Sequence, residues 1–400
     1  MKLVFDDPLF DAWLQRPLLN IPEGGAEIGE ILAVAQHIPE GDRSAWLQEW
    51  TCMADSLFEQ GRQCQQDKHL VSARQLYLRA STYYRASYPL LYGAPTNPLV
   101  ISGYRREAEA FESAAALFTP ALQSMEIPFE GTTLPAWFYS AGPVRRPLLI
   151  CVNGYDETLH TMHYAHAAAA QRRGWNVLTF DGPGQGRALI EQGLHLRPDW
   201  ETVVKAVINE VEKRPDIDTQ RIALVGWSFG GYLAARAAAA DPRISALIVD
   251  PGMWDLLEAI RAMLHKFGAQ DIAMALPNVT DAMLAPVMAV IESNPSLRWS
   301  IIQRGFWAHG VETLAQYIKE AAKFTLSDHA GNIRCPTLVT QAEADPIAAF
   351  APVFFEALSG PKHFVSFSKA EGADGHCQTA ARSVYHQRAY DWLATVFETR

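Results

Sequence analysis

The sequence predicts an α/β fold: a mostly parallel sheet with helices on both faces, preceded by a helical cap. Three observations predict it. From about residue 125 onward, apolar runs of strand length alternate with helix-length segments. The runs are short and solidly apolar, as strands covered on both faces are. Residues 1 to about 124 instead repeat apolar side chains at three- and four-residue steps.

The helical part comes first. In DRSAWLQEWTCMADSLFEQG, Trp46, Trp50, Met53, Leu57 and Phe58 share one helical face. In HLVSARQLYLRASTYYRASY, Leu70, Ala73, Leu76, Ala80, Tyr83 and Tyr84 do the same. The Pro/Gly-rich stretch PLLYGAPTNP breaks the pattern, and a third helix follows over about 100–118. No second copy recurs at a ~34-residue period, so a repeat array is not expected. Residues 1–124 are therefore a candidate cap domain and 125–400 a candidate catalytic domain.

The second part opens with MEIPFEGTTLPAWFYSAG, a strand, a turn at Gly131 and a strand. PLLICVNG is a buried strand, and HAAAAQRRG a helix stopped by Gly174. WNVLTFDGPG is a strand, and WETVVKAVINEVEKRP a helix of period 3.6. RIALVGWSFGGYLAARAAAA reads as strand, turn and helix. ISALIVDPG, CPTLVTQAEAD and HFVSFSK are further strands, closed by a C-terminal helix. Residues 253–325, helical and rich in Met and Trp, interrupt the alternation and are expected to insert over the sheet's edge.

Composition narrows the function. Apolar residues make up 49% and charged residues 20%, an ordinary globular balance. A net charge of −10 with no basic run disfavours nucleic acid or an anionic membrane as partner. The start, MKLVFDDPLF, carries aspartates where a secretory leader needs apolar residues, and no run approaches the ~18 apolar residues of a membrane helix. A cytoplasmic location is expected. The five cysteines are odd in number, scattered and free of C-x-x-C, which fits free thiols rather than disulfides or zinc. No metal-ligand spacing occurs, and no cofactor is called for.

The sharpest motif is Gly226-Trp227-Ser228-Phe229-Gly230-Gly231, between the strand IALV and the helical YLAARAAAA. That is the strand–turn–helix setting of a nucleophile elbow. The turn lifts the Ser228 hydroxyl above the sheet and turns the Phe229 N–H toward a developing oxyanion. A serine hydroxyl needs a base. His376, in GADGHCQ after the last strand, is placed to serve. Asp345, in the loop after the preceding strand, is the candidate acid to orient it. Two rivals exist: Asp250, which ends the strand LIVD, and Asp374, only two residues from His376. The second oxyanion donor is expected from Asn153-Gly154-Tyr155-Asp156, with the Tyr155 N–H as candidate. Asp181-Gly182-Pro183-Gly184-Gln185-Gly186 lacks the dinucleotide register, because Arg187 holds the third glycine's place. It reads as a rigid turn beside the site. Gly154, Asp156, Trp227, Trp254, Asp255, Glu258 and Trp307 are candidate substrate contacts, with Asp255 and Glu258 as possible second acids. Phe306, Tyr83 and Tyr84 add to the aromatic supply.

DGPGQG after NVLTF, GWSFGG, FWAHGVETL, CPTLV…AEAD and EGADGHC together resemble one branch of the α/β-hydrolases with a helical N-terminal domain. That branch includes 2,6-dihydroxypseudooxynicotine hydrolase, the polyketide-shortening pigment hydrolases of fungal and bacterial type, and the fermentation/respiration switch protein. The likeness spans most of residues 70–400. It implies Ser228, Asp345 and His376 as the triad, a site roofed by the N-terminal helices, and a homodimer. Two departures stand out: NGYDET replaces the adjacent glycines common in the branch, and TQAEAD lacks the Gly often seen before the acid. The first bears on the second oxyanion donor. Three functions are in play. One is hydrolysis of a C–C bond beside a ketone in an aromatic or polyketide-like substrate. The second is hydrolysis or transfer of an ester, thioester or lactone acyl group. The third is a non-catalytic regulatory module, which the complete Ser, Asp and His disfavour.

Overall fold

The solidly apolar runs fold into one eight-stranded sheet in a computed structural model that describes residues 2–155 and 157–399. The strands are β1 (Gln123–Phe129), β2 (Thr132–Tyr139), β3 (Arg146–Val152), β4 (Asn176–Phe180), β5 (Ile217–Trp227), β6 (Ile244–Asp250), β7 (Thr337–Ala342) and β8 (Lys362–Phe367). Their order across the sheet is β1-β2-β4-β3-β5-β6-β7-β8. β1 and β2 form the expected hairpin, β2 runs antiparallel to β4, and the remaining neighbours are parallel. Every parallel strand therefore ends at the same edge, where loops from β3, β5, β7 and β8 meet. The central strands are buried along nearly their whole length, which is why their sequences carry no polar alternation.

The N-terminal helices run Arg43–Gln66, Leu70–Ser87 and Pro98–Ala115. Each start follows from local chemistry. The Asp42 carboxylate accepts from the Ser44 and Ala45 N–H groups, and Asn97 caps Leu99 with Pro98 in the first turn. Trp46, Trp50, Leu57, Ala73, Leu76, Ala80, Tyr83 and Tyr84 are buried, as their spacing predicts. Leu70 departs from that face: it opens its helix and stays 48% exposed. The first 35 residues hold two further helices, Pro8–Gln15 and Ile28–Ala35, joined by a 3-10 turn. At eight residues each, they are too short to show a clear period.

The helical layer is continuous with the sheet. One apolar core holds Trp46, Trp50 and Tyr83 together with Leu148, Ile150 and Leu224. The inserted segment after β6 folds as helices, as expected, with its own apolar cluster around Leu284, Ile291 and Ile318. It is also tied to the N-terminal helices. The Trp299 indole donates to the Pro89 carbonyl at 2.8 Å, and Arg43 donates to the Gln303 side chain at 2.9 Å.

Candidate active site

At the end of β5 the chain turns through Ser228 into the Gly230–Ala238 helix. Ser228 has φ +55°, a left-handed conformation that a non-glycine residue holds only where its surroundings enforce it. The enforcement is visible. A Cβ on Gly226 would lie 2.1 Å from the Gly230 carbonyl oxygen, and one on Gly230 would lie 2.3 Å from that of Val152. Only glycine permits that approach. The Ser228 N–H donates to the Asp250 carbonyl at 2.7 Å, pinning the turn to the next strand.

The loops after β7 and β8 deliver the other two groups. His376 Nε2 lies 2.8 Å from Ser228 Oγ, and His376 Nδ1 lies 2.7 Å from Asp345 Oδ2. The second Asp345 oxygen accepts the Ile347 N–H at 3.0 Å, so the carboxylate is oriented from its own loop. The Asp345 side chain is almost fully buried, whereas His376 keeps 24% of its side chain exposed toward the site. The loops are linked: the Ala344 N–H donates to the Asp374 carbonyl, and Thr379 Oγ1 donates to the His376 carbonyl at 2.7 Å. Adjacent Cys377 is buried, with its thiol 3.3 Å from the Asp250 carbonyl. Burial pushes that thiol's pKa up, with Asp250 and Asp345 adding to the effect, so it stays protonated.

The rival acids have other duties. Asp250 is fully buried, ion-paired to Arg382 at 2.7 Å and hydrogen-bonded by Thr340 Oγ1 at 2.8 Å. Asp374 contributes its backbone to the link between loops.

Phe229 precedes the first turn of the Gly230–Ala238 helix, where N–H groups are not consumed by helical bonding. Its ring meets that of Tyr155 at 5.2 Å. A Cβ on Gly154 would lie 3.1 Å from Ser228 Cβ, so this loop crosses directly beside Ser228. The turn after β4 holds the loop from one side. Asp181 accepts from Asn153 Nδ2 at 2.8 Å and from the Leu159 N–H at 2.7 Å. Gln185 Nε2 donates to the Asn153 and Gly154 carbonyls at 2.8 and 3.0 Å. Burial raises the Asp181 pKa to about 7, with nearby His160 and the Leu159 and Arg187 N–H groups opposing the rise.

The remaining candidates scatter. Asp156 lies outside the described residues. Trp227 is buried under the Arg382 guanidinium, 4.6 Å from its ring centre. Trp307 faces the N-terminal helices and donates to Thr96 Oγ1 at 3.0 Å. Trp254 is half-buried and accepts the Leu326 N–H on its backbone carbonyl. Asp255 caps the Leu256–Lys266 helix through the Glu258 N–H, and Glu258 pairs with Arg261. Cap and surface pair explain both acids, so neither enters the chemistry proposed below. Tyr83 and Tyr84 spend their hydroxyls on Glu30 and Asp55.

Arg382, Gln185, Glu107 and Glu157, which hold the site's loops, were not among the residues expected there. Glu107 carried a signal. It falls between Tyr104 and Phe111 on the buried side of its helix, where an ionisable group requires partners.

A mostly parallel sheet with a Ser–His–Asp hydrogen-bonded series at its carboxyl edge is the architecture of an α/β hydrolase. The chain belongs to the alpha/beta hydrolase family, whose profile matches residues 149–382. It is 34% identical to hydrolase LUC6 of Fusarium sp, over 100% of this chain and 99% of that one. It is 32% identical to 20-hydroxy-prefusarin hydrolase FUS2 of Gibberella moniliformis, over 99% of this chain and 98% of that one. The crystal structure of 2,6-dihydroxy-pseudo-oxynicotine hydrolase shares the fold with a TM-score of 0.75, at 20% identity over 96% of this chain and 95% of that one. The coarse activity of this chain is accordingly that of a hydrolase. Among the described residues, no helix is long and apolar enough to cross a membrane.

Proposed function

We propose that this protein hydrolyses a C–C bond beside a ketone in an aromatic or polyketide-like substrate, with Ser228 as nucleophile. The observation that carries the reading is the continuous series Ser228 Oγ, His376, Asp345, at 2.8 and 2.7 Å. His376 takes the Ser228 proton on Nε2 as Oγ adds to the carbonyl carbon. Asp345, accepting from Nδ1–H, fixes the tautomer and stabilises the imidazolium. The Phe229 and Tyr155 N–H groups hold the alkoxide. Collapse breaks the C–C bond, and the electron pair leaves as a carbanion conjugated with a neighbouring carbonyl. His376 returns its proton to that carbon. Water, deprotonated by His376, then releases the carboxylic acid and regenerates Ser228 Oγ–H.

The preference for C–C cleavage rests on the branch that the motifs resemble. The substrate in the name of FUS2, at 32% identity over nearly the whole chain, is in keeping with a secondary-metabolite substrate. The same three residues would equally serve ester, thioester or lactone hydrolysis, because only the leaving atom differs. The same reading includes a homodimer, which light scattering on the purified protein would test.

Product analysis decides between the chemistries. Incubation with 1-phenylbutane-1,3-dione should yield a carboxylic acid and a shortened ketone, absent with Ser228→Ala. Rapid turnover of aryl esters with no cleavage of any β-dicarbonyl tested would replace the C–C reading with the esterase one.

A further inference from the structure

The loop between β3 and the helical turn at His163–Ala167 carries Tyr155 and passes beside Ser228. Its inner side is held by Asp181 and Gln185, as described. Its outer side is held by charged groups from the N-terminal helices. Glu157, with a side chain only 8% exposed, accepts from Arg16 Nη1 at 3.2 Å and from Arg85 Nη2 at 3.3 Å. Arg85 lies in the buried C-terminal half of the Leu70–Ser87 helix, and Arg16 opens the 3-10 turn after the first helix. One residue on, Thr158 Oγ1 donates to Glu107 at 2.5 Å, and His160 Nδ1 lies 2.9 Å from the same carboxylate. The Glu157 carbonyl also accepts the Gly186 N–H at 3.1 Å, so its backbone meets the turn below while its side chain meets the roof. A small cavity beside this contact is lined by Arg16, Arg85, Glu157, Trp227 and Thr379. Trp227 precedes Ser228, and Thr379 holds the His376 carbonyl.

We propose that Glu157, clamped by Arg85 and Arg16, is a positioning residue that sets the Tyr155 N–H at the oxyanion. This rests on the Ser228 mechanism above and extends it to the N-terminal helices. The physical ground is the cost of the arrangement. A buried ion pair contributes little net stability, and apolar residues of similar volume commonly serve as well or better. What an ion pair supplies that apolar packing does not is one fixed geometry. Glu157 lies two residues from Tyr155, and a displacement of about 1 Å at a reacting group can cost 10²-fold in rate. Arg85 thereby makes the helical layer part of the catalytic apparatus, although no residue of that layer needs to touch the reacting atoms.

The test uses the full chain, with 1-naphthyl acetate as substrate and phenylboronic acid as a probe that adds to the serine as a tetrahedral adduct. Glu157→Gln and Arg85→Met should lower kcat by about 10- to 100-fold, less than the roughly 10²- to 10³-fold cost of losing an oxyanion donor outright, with KM changed by less than about threefold. Boronate affinity should fall in step with kcat. Arg16→Met, at the more exposed end, should give a smaller loss of the same kind. The double variant Arg85→Met/Glu157→Met removes both of the deeply buried charges and leaves only Arg16, 37% exposed, without its carboxylate. It should match wild type in thermal midpoint yet fail to recover kcat. A double variant that keeps kcat and boronate affinity within about threefold of wild type would overturn the proposal. So would a fall in kcat with unchanged boronate affinity. Turnover and boronate binding that survive Ser228→Ala would instead overturn the nucleophile assignment, and the two failures are thereby distinct.

Discussion

At the scale of single residues, the proposed chemistry rests on three side chains, and two aspartates distinguish catalysis from folding. Ser228→Ala should fold normally and lose turnover on the order of 10⁶-fold, measured by kcat with circular dichroism as the folding check. Activity within tenfold of wild type would remove Ser228 as nucleophile. Asp345→Asn should cost on the order of 10⁴ in kcat, because an amide cannot hold the required tautomer of His376. Asp250→Asn should act on the fold instead. It leaves Arg382 buried without its counter-charge, a loss of about 3–5 kcal/mol by the usual cost of breaking a buried pair. Denaturant titration against kcat separates the two aspartates, and a catalytic loss with unchanged stability at Asp250 would reverse the assignment. Ser228 and His376 were legible as a candidate pair because each is marked by local context, an elbow for Ser228 and a post-strand loop for His376, and the fold brings the two side chains within 2.8 Å. The aspartate that meets His376 was legible only as a choice among three. What separates Asp345 from Asp250 is Arg382, 132 residues further along the chain than Asp250, and sequence gives no sign of that contact.

At the scale of elements, the turns are as informative as the strands. The central strands were legible because burial on both faces leaves them solidly apolar. DGPGQG was legible as a rigid turn, but its task was not. Asp181 and Gln185 grip the loop after β3 through bonds that cross the sheet edge. The candidate substrate contacts in the insertion scattered for the same reason. Trp307 is turned toward the N-terminal part by its bond to Thr96, whereas Asp255 and Glu258 are engaged within the insertion as a helix cap and an ion pair with Arg261. Asp181 ties the turn after β4 to pH. Its pKa of about 7 in the fold exceeds the ordinary 3.8, so the folded state holds the proton more tightly. The stability it contributes is complete below about pH 4 and is lost as pH rises to about 7. Buried His163 and His309, pushed down to about 3 by burial, have the opposite slope below about pH 6.5. They drop out of a comparison with Asp181→Asn. The thermal midpoint of wild type, relative to Asp181→Asn, should fall from about pH 4 to about 7 and level off above. A difference that is flat across that window would show Asp181 ionised throughout.

At the scale of the whole molecule, the helical layer and the sheet share one core. Trp46 and Trp50 belong to the same apolar cluster as the central strands. The sequence showed two layers by their periods, but it could not show that they fuse. Contacts such as Arg85 with Glu157 join residues 72 positions apart. Deleting residues 1–120 should therefore expose a large apolar surface and abolish soluble expression. A soluble, monomeric 121–400 fragment with wild-type kcat/KM would show the helices to be a separate module and would also contradict the clamp on the oxyanion loop.

The central claim is that Ser228 becomes acylated during turnover. Intact-protein mass spectrometry on enzyme quenched within the first turnovers of 1-phenylbutane-1,3-dione tests it most directly. An added mass equal to one acyl group should appear, mapped to the peptide that holds Ser228 and missing from Ser228→Ala. Steady cleavage of the substrate by a Ser228→Ala variant, or an acyl group mapped to any other residue, would contradict it.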